Sequence, residues 1–366
     1  MPLVAHNALP SFERLRDEGY RILSPERAHD QVVRPLHIGL LNMMPDAALQ
    51  ATERQFFRLV GSSNPISQFY IHPFTLDEIP RGEIARQHID QYYEPLSLIQ
   101  ERGLDALIIS GANVSRADLS EEIFWDPLRK VIDWADANVT TTLCSCLASH
   151  AVLLARYGIR RQNLGFKRWG VYEHEVVMKN HPLVQDINTR MYVPHSRFNQ
   201  VTAEQIRSAG LHVLIEGQEP GVQLAVSPDG FRTVFMQGHP EYDTISLMKE
   251  YKRDIHGFIS RTQAAYPPVP QHYFDRHSNA IIDEYQGRVH ECIEGDDTVG
   301  NIPEFPEKLL AGRLSNTWHD SGEALVGNWI GLMYQVTHRE RSLPFMEGVD
   351  PDDPLGWLAG DVSRLT

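Results

Sequence analysis

Cysteine is scarce: the chain has three thiols in 366 residues, at positions 144, 146 and 292. That is too few for a disulfide framework at this length, and no C-x-x-C or H-E-x-x-H spacing marks a metal site. Reduced thiols and no metal are expected. Apolar runs long enough to cross a bilayer are missing. The opening residues, Met1-Pro2-Leu3-Val4-Ala5-His6-Asn7-Ala8-Leu9-Pro10, hold neither a basic nor an apolar leader segment. No membrane association and a cytoplasmic location are therefore expected. Basic side chains are in deficit, 34 against 48 acidic ones, and the resulting formal charge of -14 at pH 7 repels polyanions and argues against nucleic acid as a partner. Repeats and low-complexity tracts are absent too, so the order of elements carries the fold. The apolar fraction of 42% is that of an ordinary globular chain, which excludes disordered and fibrous classes.

Short apolar runs alternate with helical patterns through the first part of the chain. Leu36 to Asn42 reads as a buried strand, with Asp46 as the cap of a helix carrying Phe56, Phe57, Leu59 and Val60. Ile66 to Phe74 and Leu104 to Ser110 read as further strands, Glu121 to Ala137 as a helix, Val139 to Ser145 as a strand and Leu147 to Tyr157 as a helix. This alternation predicts right-handed crossovers and an α/β fold, a mostly parallel doubly wound sheet with helices on both faces. Val171 to Val177, Met191 to Pro194, Leu211 to Glu216, Val222 to Ser227 and Arg232 to Gln237 follow in close succession, which predicts antiparallel pairing at a sheet edge. Thr244 to Ile259 returns to helix, and Ala324 to Val336 has the spacing of an amphipathic helix that packs back on the fold.

The chemistry concentrates at two strand ends. Cys146 closes an apolar strand and opens a helix, and Gly238-His239-Pro240-Glu241-Tyr242 places a histidine and a carboxylate two residues apart after a later strand. A helix N-terminus and a neighbouring imidazole both favour the thiolate, the attacking form. In this reading Cys146 is the nucleophile, His239 the base and Glu241 the group that orients the ring. The backbone N–H of Leu147, and one from the loop after Gly111 near Val114, form the oxyanion hole. Cys144 and Cys292 read as inert small hydrophobes. Ligands in open α/β sheets sit beyond the C-terminal strand ends, where Gly111, Cys146 and His239 all lie, so one crevice is expected to hold them. An anionic acyl donor would need a local basic patch, and Arg160, Arg161, Lys167 and Arg168 cluster after the Cys146 helix.

Five motifs, Leu41-Asn42-Met43-Met44-Pro45, Ser110-Gly111-Ala112, Gly170-Val171-Tyr172-Glu173-His174, Pro194-His195-Ser196-Arg197 and Gly238 to Asp243, stand in one order. That combination resembles the homoserine O-acyltransferases of methionine biosynthesis, which have a class I glutamine-amidotransferase-like, flavodoxin-like fold. The resemblance runs from about Arg34 to Asp254, with a weaker stretch from Trp318 to Thr337. It implies acyl transfer from succinyl-CoA or acetyl-CoA to the hydroxyl of L-homoserine through a Cys146 thioester. It also implies substrate contacts at Lys167, Ser196 and Arg253, and a homodimer. Coenzyme A esters enter as substrates, with no cofactor. In such enzymes the residue ending the segment after the Gly-Ala turn selects the acyl group. Here it is Ser115, small and uncharged, which leaves room for a succinyl carboxylate and does not repel it.

The expected organisation is an N-terminal arm over 1–33, a catalytic domain over 34–262, a segment over 263–342 packing back on it, and a tail over 343–366 of loop or disorder. The acidic stretch 284–307 and that tail read as longer than the family pattern. The competing readings are an acetyl donor, an amide hydrolase with the same triad, a redox-sensing module and serine as acceptor. The flanks Cys144-Ser145-Cys146-Leu147-Ala148 lack the glycines that surround an amidotransferase nucleophile.

Overall fold

A computed structural model describes residues 3–294 and 302–360. Parts of the acidic stretch (295–301), of the N-terminal arm (1–2) and of the tail (361–366) lie outside the described residues. The strands are β1 (Leu3–Val4), β2 (Ile22–Leu23), β3 (Pro35–Leu41), β4 (Gln68–Phe74), β5 (Ala106–Ile109), β6 (Thr141–Ser145), β7 (Gln162–Val176), β8 (Arg190–Gln200), β9 (His212–Gly217), β10 (Gly221–Val226) and β11 (Thr233–Met236). The helices are α1 (Pro10–Asp17), α2 (Pro25–His29), α3 (Asp46–Ser62), α4 (Glu83–Tyr92), α5 (Leu96–Arg102), α6 (Trp125–Asn138), α7 (Leu147–Tyr157), α8 (Ala203–Ser208), α9 (Ser246–Ile259), α10 (Arg276–Glu294), α11 (Glu307–Ala311) and α12 (His319–Val336).

All eleven strands join one sheet in the order β2-β1-β4-β3-β5-β6-β11-β10-β9-β7-β8. Every pairing from β2 to β11 is parallel, and every pairing from β11 to β8 is antiparallel. The parallel strands are short and apolar because both faces are covered. Along β5, Ala106 and Ile108 enter one core with residues of α1, α3 and α12, while Leu107 and Ile109 enter the opposite core with α6 and α7. A third cluster joins α9 to α10 and Trp318 beside β7.

Boundaries depart from the sequence expectation where polar partners decide them. The helix expected over 121–137 begins at Trp125, because the buried Glu122 carboxylate accepts the backbone N–H groups of Ser115 and Arg116 instead of continuing a helical face. The strand expected from Val171 starts at Gln162, at the open end of the β7–β8 hairpin, where Gln162 to Lys167 are exposed or half-buried and carry no alternation to read. The N-terminal segment, which shows no pattern of its own, contributes two-residue strands whose Leu3 and Val4 are fully buried. In the tail, Leu355 is buried and Trp357 stacks edge-on against His181 and His212.

Candidate active site

β6 and β11 are parallel neighbours with Ser145 opposite Met236, so the residues that follow them emerge side by side. Cys146 sits at this exit with φ 51° and ψ −111°, a backbone conformation that L side chains rarely adopt. Its N–H donates to Met236 O at 2.7 Å, and Ser149 Oγ donates to both Cys144 O (2.8 Å) and Met236 O (3.0 Å), which locks the elbow to both strands. Leu147 opens α7, where the first N–H groups have no intrahelical acceptor. Gly111 lies against the elbow: a Cβ there would stand 3.8 Å from Cys146 Cβ. Val114, farther along that loop, is 38% exposed. Cys144 is fully buried, and burial pushes its thiol well up, away from reactivity.

His239 and Glu241 are both buried, with Nδ1 and Oε1 2.8 Å apart. Burial works against an imidazolium at His239, but the charges of Cys146 and Glu241 and hydrogen bonds to both outweigh it, and its pKa is raised well above the ordinary 6.5. The second Glu241 oxygen, Oε2, meets no protein donor. The loop carrying the pair is pinned from below: Arg58 donates to Glu241 O at 2.8 Å, and Arg54 and Arg58 both engage Asp243. From the side, Trp318 Nε1 donates to Tyr242 O (2.9 Å) and His239 N–H to Pro194 O (2.8 Å).

The three further residues implied by the resemblance meet on one patch of α9. The β7–β8 register sets Trp169 opposite Ser196, which brings Lys167 and Ser196 to the same side. Ser196 Oγ donates to Glu250 Oε2 at 2.6 Å. Lys167 Nζ contacts Glu250 Oε2 (3.5 Å) and Asp254 Oδ2 (3.2 Å), above the Trp169 ring. Tyr242, stacked on His239 with ring centroids 4.3 Å apart, donates to Glu250 Oε1 at 2.9 Å, so this patch is wired to the triad. Arg253 is 63% exposed and donates through Nε and Nη2 to Asp254.

The basic run expected as one patch disperses. Arg160 pairs with Asp118 at the surface, Arg168 donates to Gln200 and Pro220, and Lys167 joins α9. Arg161 donates to Arg116 O (3.1 Å) and Ala117 O (3.2 Å), and its Nε is buried without a partner. Burial lowers its pKa, with the charges of Glu122, Asp118 and Cys146 opposing. Ser115 is on the same loop, its N–H and Oγ both donating to Glu122. Sequence reasoning missed Glu250, Arg54, Arg58 and Glu122 because no motif spacing connects them to the triad. The one available signal was a carboxylate one helical turn before Asp254. Among the described residues, the crevice holds no group of three metal-ligating atoms close enough to share an ion.

The family described as homoserine O-succinyltransferase matches residues 2–339. The homoserine O-succinyltransferase of Allochromatium vinosum is 58% identical over 361 residues, covering 98% of this chain and 100% of that protein. That of Thiobacillus denitrificans is 60% identical, covering 97% and 99%. A glutamine amidotransferase structure from Thermotoga maritima aligns at 14% identity with a TM-score of 0.44, covering 81% of this chain and 97% of that one. The near-complete overlap with the two relatives corrects one expectation: against them, the stretch 284–307 and the tail beyond Leu343 are not additional length. The chain belongs to the homoserine O-succinyltransferase family.

Proposed function

We propose that Cys146, His239 and Glu241 carry the acyl group in two half-reactions as the chain transfers succinyl from succinyl-CoA to the hydroxyl of L-homoserine in methionine biosynthesis. The observation that supports this most is the Cys146 elbow beside the buried His239–Glu241 pair, whose Nδ1 and Oε1 lie 2.8 Å apart. The Cys146 thiolate attacks the thioester carbonyl, and the oxyanion takes hydrogen bonds from Leu147 N–H and from the loop between Gly111 and Val114. Collapse expels the coenzyme A thiolate, which receives the His239 proton. Neutral His239 then accepts the proton of the homoserine hydroxyl as that oxygen attacks the acyl-enzyme. Collapse of the second oxyanion releases the ester and restores thiolate and imidazolium.

The α9 patch suits an amino acid. Glu250 offers a carboxylate to the homoserine ammonium, held in place by Ser196, Lys167 and Tyr242, and the exposed Arg253 fork offers bidentate contact to its carboxylate. At the acyl end, Ser115 brings no charge and Arg161 brings a positive one, which favours a succinyl over an acetyl tail. We place the enzyme in the cytoplasm as a homodimer that needs no cofactor. No described helix is long and apolar enough to cross a membrane.

The test is to mix the protein with succinyl-CoA alone and analyse the Cys146 peptide by mass spectrometry. One succinyl group should appear on it, discharge on addition of L-homoserine, and be absent in Cys146→Ala. Turnover without an adduct, or activity in Cys146→Ala, rules out the thioester. Ammonia release from glutamine instead would favour the amide-hydrolase reading.

A further inference from the structure

A second buried histidine–carboxylate cluster lies at the other end of the parallel sheet, away from the triad. His6 follows β1, His72 is on β4, and Glu94 sits between α4 and α5. His6 Nε2, His72 Nδ1 and Glu94 Oε1 all lie within 4.8 Å of one another, with His72 Nδ1 2.6 Å and His6 Nε2 4.0 Å from Glu94 Oε1. The three side chains are between 9% and 15% exposed. His6 Nδ1 is 3.2 Å from Val4 O, a hydrogen bond that puts the proton on Nδ1 and leaves Nε2 a lone pair. That Nε2 is buried and has no hydrogen-bond partner. An imidazole whose far nitrogen is fixed by a backbone carbonyl while its near nitrogen waits unpaired is the usual arrangement of a metal ligand.

We propose that His6, His72 and Glu94 form a binding site for a zinc-class divalent cation that ties the N-terminal arm to the sheet. Two imidazole nitrogens and one carboxylate suit a borderline transition-metal ion, whereas calcium and magnesium take oxygen ligands. The spacing expectation of no metal does not reach this site, because its ligands come from three elements far apart in sequence. For His72 to bind through Nδ1, its proton moves to Nε2, which is 2.9 Å from His37 Nδ1. His37 Nδ1 is placed to accept there, with the His37 proton on its far nitrogen. Arg102 holds the other Glu94 oxygen at 3.1 Å, as an outer partner that orients the carboxylate. A cavity of about 270 Å³ borders the cluster between Tyr70, Ile99, Leu104 and Arg341. It offers the ion an entry path and room for a water as fourth ligand. Such a tie would add to the apolar packing of Leu3, Leu9, Phe12 and Leu15, since β1 pairs with β4 through a single residue, Leu3 opposite Phe69.

The experiment uses full-length protein carrying Cys146→Ser, so that the triad thiol cannot take the ion, freed of metal and titrated with zinc against a chromophoric chelator. One equivalent of zinc should bind, raise the thermal midpoint and slow proteolysis within the first 33 residues. His6→Ala should weaken binding at least about 10-fold and abolish both protections. Glu94→Gln should do the same. His6 lies outside regular structure and is partly exposed, so its variant keeps the test valid if His72→Ala fails to fold. In the otherwise native chain, His6→Ala should leave succinyl transfer unchanged. Failure to bind zinc, or uptake and protection that persist in His6→Ala, would overturn the proposal.

Discussion

Among the buried histidine–glutamate contacts of the described residues, two invite comparison: His239 with Glu241 at 2.8 Å and His72 with Glu94 at 2.6 Å. Their surroundings differ in what stands third. Beside His239 is the Cys146 sulfur, a second acid, and the imidazole is pushed well above its ordinary pKa despite its burial. Beside His72 are other imidazoles. Burial holds His6 at about 4, and burial with the Arg341 charge holds His37 at about 2. A histidine–carboxylate pair therefore has no fixed chemistry of its own. At one end of the sheet the contact stands beside a thiol whose charge favours an imidazolium, and at the other it stands among imidazoles that burial disfavours as cations.

The most severe way to break the contrast is to remove that neighbour. Cys146→Ala should abolish turnover, a loss of at least about 10⁴-fold in coenzyme A release, with the fold intact by circular dichroism. It should also make His239 more like the distal histidines, with its pKa falling toward the ordinary value in a proton-detected titration. The stability consequence has a definite sign. The raised pKa means that the stabilisation from imidazolium His239 is complete below about 6.5, the unfolded value, and is lost as pH rises through the folded value. The thermal midpoint of the native chain should therefore decline over that alkaline window more steeply than that of Cys146→Ala. Equal slopes would show that the thiol does not hold the charge on His239.

Glu241→Gln breaks the pair and keeps its shape. The amide can still contact Nδ1 but brings no charge, so kcat should fall by about 10²- to 10⁴-fold with little change in either KM. A large rise in KM instead would make Glu241 a substrate contact. Farther out, Ser115→Glu tests whether charge also sorts the acyl donors. The segment already contains Asp118, Glu121 and Glu122, of which Glu122 is occupied by the N–H groups of Ser115 and Arg116 and Asp118 pairs with Arg160. A glutamate at 115 adds a free one and should lower kcat/KM for succinyl-CoA about 10- to 100-fold while sparing acetyl-CoA. Equal losses with both donors would remove residue 115 from the selection of the acyl group.

The two regions were also unequally legible in the sequence. β6, Cys146 and α7 could be read because a short apolar run turning into helical spacing at one residue is a local signal, and the helix runs from Leu147 to Tyr157 as that signal predicts. The histidine–glutamate pair after β11 is equally local. What holds that pair in place is not: Arg54 and Arg58 on α3 reach Asp243, and Glu250 on α9 joins Tyr242 to Ser196, through tertiary choices among many charged residues. The distal cluster was invisible for the same reason. Its strand β1 is two residues long, shorter than any periodicity can reveal, and its ligands share no spacing motif.

Arg253 should show the smallest effect, and it tests how far the active region extends along α9. Its contact with Asp254 lies on the surface, and a pair so exposed contributes about 0–1 kcal/mol to stability, so Arg253→Ala should scarcely shift the thermal midpoint. If the fork receives the homoserine carboxylate, the loss falls on binding alone. KM for homoserine should rise about 10-fold, with kcat and the KM for succinyl-CoA unchanged, because a contact made equally in ground and transition states leaves kcat alone. Arg253→Lys should recover only part of the loss, since an ammonium cannot reproduce the two parallel hydrogen bonds of a guanidinium. An unchanged KM for homoserine in Arg253→Ala would end the substrate site at Glu250 and leave Arg253 as a surface partner of Asp254.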